Sequence, residues 1–125
     1  ICAMNSIITL VGRKKMAKAR AGIKPLPPIA FMAVGDGGVE ADGTVKEPGD
    51  TLVNELARKA VEDAVKISDT CYRYKLTLNK GELTGKEISE MALIDEEGDA
   101  VAIKNFLKKP KDEDMEMDFE IDDNF

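Results

Sequence analysis

The chain has no histidine, no tryptophan and only two cysteines among its 125 residues. Without histidine there is no Ser-His-Asp triad, no Cys-His dyad and no His-ligated metal site. Two tyrosines and four phenylalanines are the whole aromatic supply, too few for a platform on which bases or sugars stack. Cys2 and Cys71 form no CxxC pair and read as free thiols in a reducing cytoplasm rather than as a disulfide. Long apolar runs are also missing. The longest are Ile7 to Val11 and Ile29 to Val34, against the ~20 residues of a membrane span. The first has neither the positive region nor the cleavage site of a signal peptide. The sequence therefore reads as a soluble, unsecreted chain with no membrane insertion. It does not open on Met; Met4 is a candidate natural start, with Ile1 to Ala3 as an addition or a processing remnant.

An excess of positive charge is lacking too. Lys plus Arg number 18 and Asp plus Glu 24, for a net charge of -6 and a pI near 4.8, which argues against a uniformly basic nucleic-acid binder. With 43% hydrophobic and 34% charged residues, the composition is that of one globular domain over 1–125. Charge is segregated along it. Residues 1–24 carry six bases (Arg13, Lys14, Lys15, Lys18, Arg20, Lys24) and no acid, and residues 112–125 carry eight acids and no base. Two readings stand. The segments are solvated faces that attract each other, within one molecule or between copies, or they are a partner-binding surface. Nothing favours nucleic acid, since no aromatic lies beside the basic run and the acidic run repels phosphate.

Patterning predicts the elements. Thr9 is a good N-cap for a helix from Leu10 to Ala21, with Gly22 as the residue that ends it and Lys18 and Arg20 placed to suit its dipole. Gly12 inside this helix suggests close packing. Residues 1–8 ahead of it are a candidate disordered terminus. Pro25, Pro27 and Pro28 force an extended connection, and Ile29 to Val34 reads as a strand buried on both faces. Residues 35–50 form one long polar, glycine-rich loop. Val53, Leu56, Ala57, Ala60, Val61, Ala64 and Val65 follow helical spacing, so a second helix is expected from Leu52 to about Val65. Its second half is open to an extended reading, because Val61, Val65 and Ile67 also fall on one side of a strand. Strands follow at Tyr72 to Leu78, Glu87 to Ile94, Asp99 to Leu107 and Met115 to Asp122, the last alternating strictly between apolar and acidic residues. The expected class is α+β, an N-terminal helix and a second helix packed on a mainly antiparallel β-sheet.

Enzyme chemistry is hard to find. Gly35-Asp36-Gly37-Gly38 lacks both GxGxxG spacing and a GK[ST] ending, so it reads as a turn and not as a phosphate loop. Asp95 to Asp99 resembles a calcium loop only superficially: the glycine falls at Gly98 and Phe106 stands where the bidentate Glu belongs. Residues 36–50 offer carboxylates that bind a hard cation loosely. No catalytic residue, cofactor or metal site is assigned.

The order of motifs is more informative. Thr9-x-x-Gly12-Arg13 opens an Ala-rich helix, and a strand runs into Gly35-Asp36-Gly37. After a long loop come Thr51-x-x-Asn54-Glu55-x-x-Arg58, Leu83-x-Gly85-x-x-Ile88-Ser89-Glu90 and Leu93-Ile94-Asp95-x-x-Gly98-x-x-Val101-Ala102-Ile103. From Thr9 to Phe106 this resembles the N-terminal domain of phage tail-collar fibre proteins, and the acidic last strand resembles members from Gram-positive prophages. The pattern departs at Ala92, often Gly, and Ile94, often aromatic. Relatives are often extended after Arg58. No fibre shaft follows, so the chain reads as an anchoring domain of a longer protein or as a short member.

The resemblance implies a structural, non-enzymatic tail protein that attaches a fibre to the baseplate. Its partners would be phage tail or baseplate proteins and copies of itself, a trimer being favoured. Its place would be a virion tail or phage-like particle, after synthesis in a bacterial cytoplasm. Gly35, Gly37 and Gly98 would hold tight turns. Asp36 belongs to the first of those turns, and Asn54, Glu55 and Arg58 would form a local polar network. The alternative is a small carbohydrate- or cation-binding module using the acidic loop of residues 36–50.

Overall fold

The computed structural model describes residues 6–125; Cys2 and the candidate start at Met4 lie outside the described residues. The chain runs through β1 (Ser6–Ile8), α1 (Leu10–Arg20), β2 (Ile29–Gly35), β3 (Glu55–Ala60), β4 (Asp63–Ser68), β5 (Cys71–Leu78), β6 (Glu87–Asp95), β7 (Ala100–Pro110) and β8 (Met117–Asn124). Residues 6–8, grouped by sequence with a disordered terminus, form a strand.

Thr9 is extended and its hydroxyl accepts the Gly12 N–H at 3.0 Å, the capping bond that starts α1. At the other end Gly22 has φ +76°, and the N–H groups of Gly22 and Ile23 return to the carbonyls of Ala19 and Lys18. This is the paired closure that only a left-handed C′ residue permits, and glycine adopts it without strain. The helix rests on β7 through its backbone. Thr9 donates from its N–H to Val101 and from its hydroxyl to Ala100. A Cβ at Gly12 would stand 2.6 Å from the Val101 carbonyl oxygen.

All strand pairs are antiparallel. One sheet has the order β1-β7-β6-β2-β3 and the other β4-β5-β8. Met32, Val34, Met91 and Leu93 from the first sheet meet Leu76, Leu78, Phe119 and Ile121 from the second, forming the main core. The far face of the five-stranded sheet carries Ala33, Ala92, Ile94 and Ile103, over which Leu52 packs.

The expected α+β class with two helices is therefore corrected: the fold is mostly β, with one short helix among the described residues. The segment expected as the second helix is β3 and the first half of β4, which leave one sheet and enter the other across Val61-Glu62. The reason lies in β2. Its last four residues are buried, so its polar backbone needs partners on both sides. β6 supplies one side, and Glu55–Ala60 supply the other, from Phe31↔Ala60 to Gly35↔Glu55. This pairing demand overrides the helical spacing, three of whose seven residues are valines, which suit a strand. β7 also runs on to Pro110, past the expected break, because Lys109 and Pro110 pair with Ile88 and Glu87.

The charge segregation resolves locally. Phe119 and Ile121 of β8 turn inward, while Asp118, Glu120 and Asp122 face the basic side of β5. Arg73 grips Asp122 with two hydrogen bonds, at 2.7 and 3.2 Å, and reaches Glu120 at 3.4 Å. Lys75 lies 3.4 Å from Asp118, which also accepts from the Thr77 hydroxyl. The acidic strand is thus answered by β5. Among the described residues, no ion pair joins it to α1.

Candidate functional site

Buried acids stand at two places on the five-stranded sheet, while Thr77 and the fully buried Lys111, whose ammonium donates to the Asp112 carbonyl, lie elsewhere. The first is Glu90, 1% exposed, in the middle of β6. Its carboxylate accepts the backbone N–H groups of Gly37, Val53 and Asn54 at 2.8 to 2.9 Å. Beside it the Ser89 hydroxyl accepts the Gly38 N–H at 2.9 Å. Both ends of the long loop are thereby clamped to one strand, and the loop, which continues to Asn54, lies across the sheet. Asn105, also buried, donates to the Lys46 carbonyl and ties down the loop's middle.

The residues singled out by sequence sit around this clamp, with one exception. Gly35 and Gly37 do not take the left-handed conformation of a tight turn. They are small because the clamp is crowded: a Cβ at Gly35 would meet the Asn54 carbonyl and Glu90, and one at Gly37 would lie 2.5 Å from the Val53 side chain. Asp36 accepts from the Asn54 side-chain amide at 2.6 Å, and Arg58 holds Glu55 by two hydrogen bonds at 2.9 and 3.1 Å. These are two neighbouring exposed pairs with no bond between them, not one network. Gly98 is the exception. With φ +88° it closes the β6–β7 hairpin at the opposite end of β6. Glu90 stands in the Ile88-Ser89-Glu90 motif but was given no role by sequence; its signal is an acid directly before the apolar run Met91 to Ile94 of a strand, where only a fully bonded carboxylate belongs.

The second place is that hairpin. Asp95 is 1% exposed and accepts the N–H groups of Glu97 and Asp99. Its carboxylate converges with those of Glu97 and Asp99, the one group of three such residues among the described ones. The Lys15 ammonium reaches all three, at 2.5, 2.9 and 2.8 Å respectively. Burial works against the Lys15 charge, but the hydrogen bonds to Asp95, Asp99 and Glu97 outweigh it and hold its pKa above the ordinary lysine value. Glu97 is held down to about 2, first by its hydrogen bond to Lys24 and then by Lys15. Three oxygens suited to a hard cation are thus satisfied by the chain's own ammonium. The helix is locked to the hairpin by the same contacts. Within residues 36–50, where the alternative reading puts a loosely held cation, no such convergence occurs among the described residues. Asp42 there accepts from Thr44, and Asp50 accepts from the Leu10 N–H at the start of α1.

Between α1, the proline segment and the end of β8 lies a cleft of about 290 Å³, lined by Met16, Leu26, Pro27, Tyr74, Asp123 and Phe125 among others. Burial pushes the pKa values of Asp123 and Tyr74 up. Such a lining admits an apolar side chain.

The chain belongs to the phage tail-collar fibre proteins: the family's N-terminal domain matches residues 3–119. No curated protein and no solved structure matches it.

Proposed function

We propose that this chain fixes a tail fibre to the baseplate, or forms part of the tail tip, in a phage or prophage particle, through protein–protein contacts alone. Membership of the tail-collar fibre family over almost the whole chain carries this reading. The use of the buried charges supports it. Glu90 and the Asp95 cluster are bound to backbone N–H groups and to Lys15, and so hold a loop and a helix in one shape. A rigid docking module needs such fixed surfaces. Its partners are tail or baseplate proteins and copies of itself, a trimer being the favoured assembly. Its place is the tail of the particle, after synthesis in the bacterial cytoplasm. No helix among the described residues is long and apolar enough to cross a membrane. The Asp36–Asn54 and Glu55–Arg58 pairs, with Gly35, Gly37 and Gly98, take structural roles in holding the loops. No catalytic residue and no cofactor is assigned.

The test is deletion. Particles induced from a source strain lacking this chain are expected to carry complete tails without distal fibres in negative-stain electron microscopy, and expression from a plasmid restores the fibres. Fibres still in place on the deleted particles would contradict the reading.

A further inference from the structure

Alternation along β8 turns Phe119 and Ile121 into the core and gives the next inward position to Asp123. The pattern calls for an apolar residue there. The acids of the opposite face, Asp118, Glu120 and Asp122, are answered by Arg73 and Lys75. Asp123 stands apart from them. It is half-buried, burial disfavours its charge, and among the described residues it forms no ion pair with a lysine or arginine.

This acid lines the cleft between α1, the proline segment and the end of β8. Met16, Leu26, Pro27 and Ile29 give the cleft apolar walls, and Tyr74 adds a ring with a hydroxyl that donates or accepts. The second acid of the lining, Asp95, is neutralised by Lys15. No lysine or arginine is among the described lining residues. The site is an apolar slot with one negative charge that its own walls do not answer.

Two requirements select the occupant. The walls ask for methylene groups and the carboxylate asks for a cation. A lysine or arginine side chain supplies both, as an apolar stem with a charged head. A half-buried carboxylate gains more from such a head than an exposed one does, because less water screens the pair. An uncharged apolar side chain would bury Asp123 further with no compensation, and an anion would be repelled. The rim favours a protein over a free amine. Leu26 and Phe125 line the cleft yet are 50% and 61% exposed, so apolar surface continues outside it for flanking residues to cover. We infer that the cleft receives a lysine or arginine side chain, flanked by apolar residues, from a partner protein. The stem lies on Met16, Leu26 and Pro27, and the head meets Asp123 and the Tyr74 hydroxyl. The inference stands independently of the tail role.

Titration of the isotope-labelled chain with an acetylated, amidated leucine–lysine–leucine peptide tests it by NMR. Shifts are expected at the amides of Gly12, Leu26, Ala102, Asp123 and Phe125, with saturation in the millimolar range. The norleucine analogue keeps the stem and lacks the ammonium; it should bind at least tenfold more weakly, and the glutamate analogue not at all. Asp123→Asn should weaken the lysine peptide at least tenfold and leave the norleucine analogue unchanged. Met16→Lys supplies a cation from the cleft's own wall and should weaken the lysine peptide as well. Circular dichroism confirms that both variants fold. Equal binding of the lysine and norleucine peptides, no shift at these amides, or Asp123→Asn binding like the wild type would each overturn the inference. So would contacts of residues 1–5, or of a second copy, with Met16 and Leu26 that persist when the peptide is added, since the cleft would then have another occupant.

Discussion

Replacing Glu90 with alanine is expected to release the loop of residues 36–54 and to cost the protein about 3–5 kcal/mol. Three backbone donors, from Gly37, Val53 and Asn54, lose their acceptor at once. Hydrogen bonds to a charged group contribute about 1.5–3 kcal/mol each, and water recovers part of the loss where the loop lifts away. Against a total stability of roughly 5–15 kcal/mol this is a large fraction. Glu90→Gln should lose about half as much, because its single carbonyl oxygen still accepts but its amide faces donors. Urea denaturation measures the stability. Hydrogen exchange at Val53 and Asn54 locates the effect, and faster exchange there, with the β5–β8 ladder unchanged, is the expected pattern. Unaltered exchange in the loop would show that the clamp does not hold it.

Lys15→Met is expected to destabilise by about 3 kcal/mol, since it leaves the buried Asp95 carboxylate without its cation. For a domain of this size that lowers Tm by about 10 °C. Adding Asp95→Asn should recover most of the loss, because the amide oxygen still accepts from Glu97 and Asp99 while the unpaired charge is gone. The pH dependence gives a second reading. Glu97 has a depressed pKa in the folded chain, about 2 against an ordinary value of 4.5. The folded state therefore holds fewer protons there than the unfolded one. Its contribution is complete above pH ~4.5 and is lost as the pH falls towards 2. Lys15→Met removes one of the two ammonium groups on Glu97, so the fall of Tm across that interval should be shallower than in the wild type. A double variant no more stable than Lys15→Met would show that the ion cluster is not the cause.

Much of the chain was legible locally. Thr9 and Gly22 mark the ends of α1, and the alternation at residues 117–121 marks β8, because a cap or a half-buried strand is written in adjacent residues. The segment from Leu52 to Val65 was misread for the opposite reason. Its structure answers to β2, twenty or more residues away, whose buried edge outweighs local spacing. The clamp shows the same limit. Gly35 and Gly37 were noticed as turn residues, yet their smallness serves a carboxylate more than fifty residues later in the chain. The hairpin acids were set aside as a poor calcium loop. Only the fold reveals that Lys15, eighty residues earlier, fills the space between them. Of the readings of the two charged ends, attraction within one molecule fails: α1 is pinned at the start of β7, and the acids of β8 pair with Arg73 and Lys75 of β5.

On the proposed function, this chain is a part of a phage tail. Quantitative mass spectrometry of tail particles, induced from the source strain and purified on a gradient, tests it most directly. The expected result is this chain in the particle fractions at a fixed ratio to the other tail proteins, retained after high-salt washing. Its absence from particles that contain the remaining tail proteins would contradict the claim.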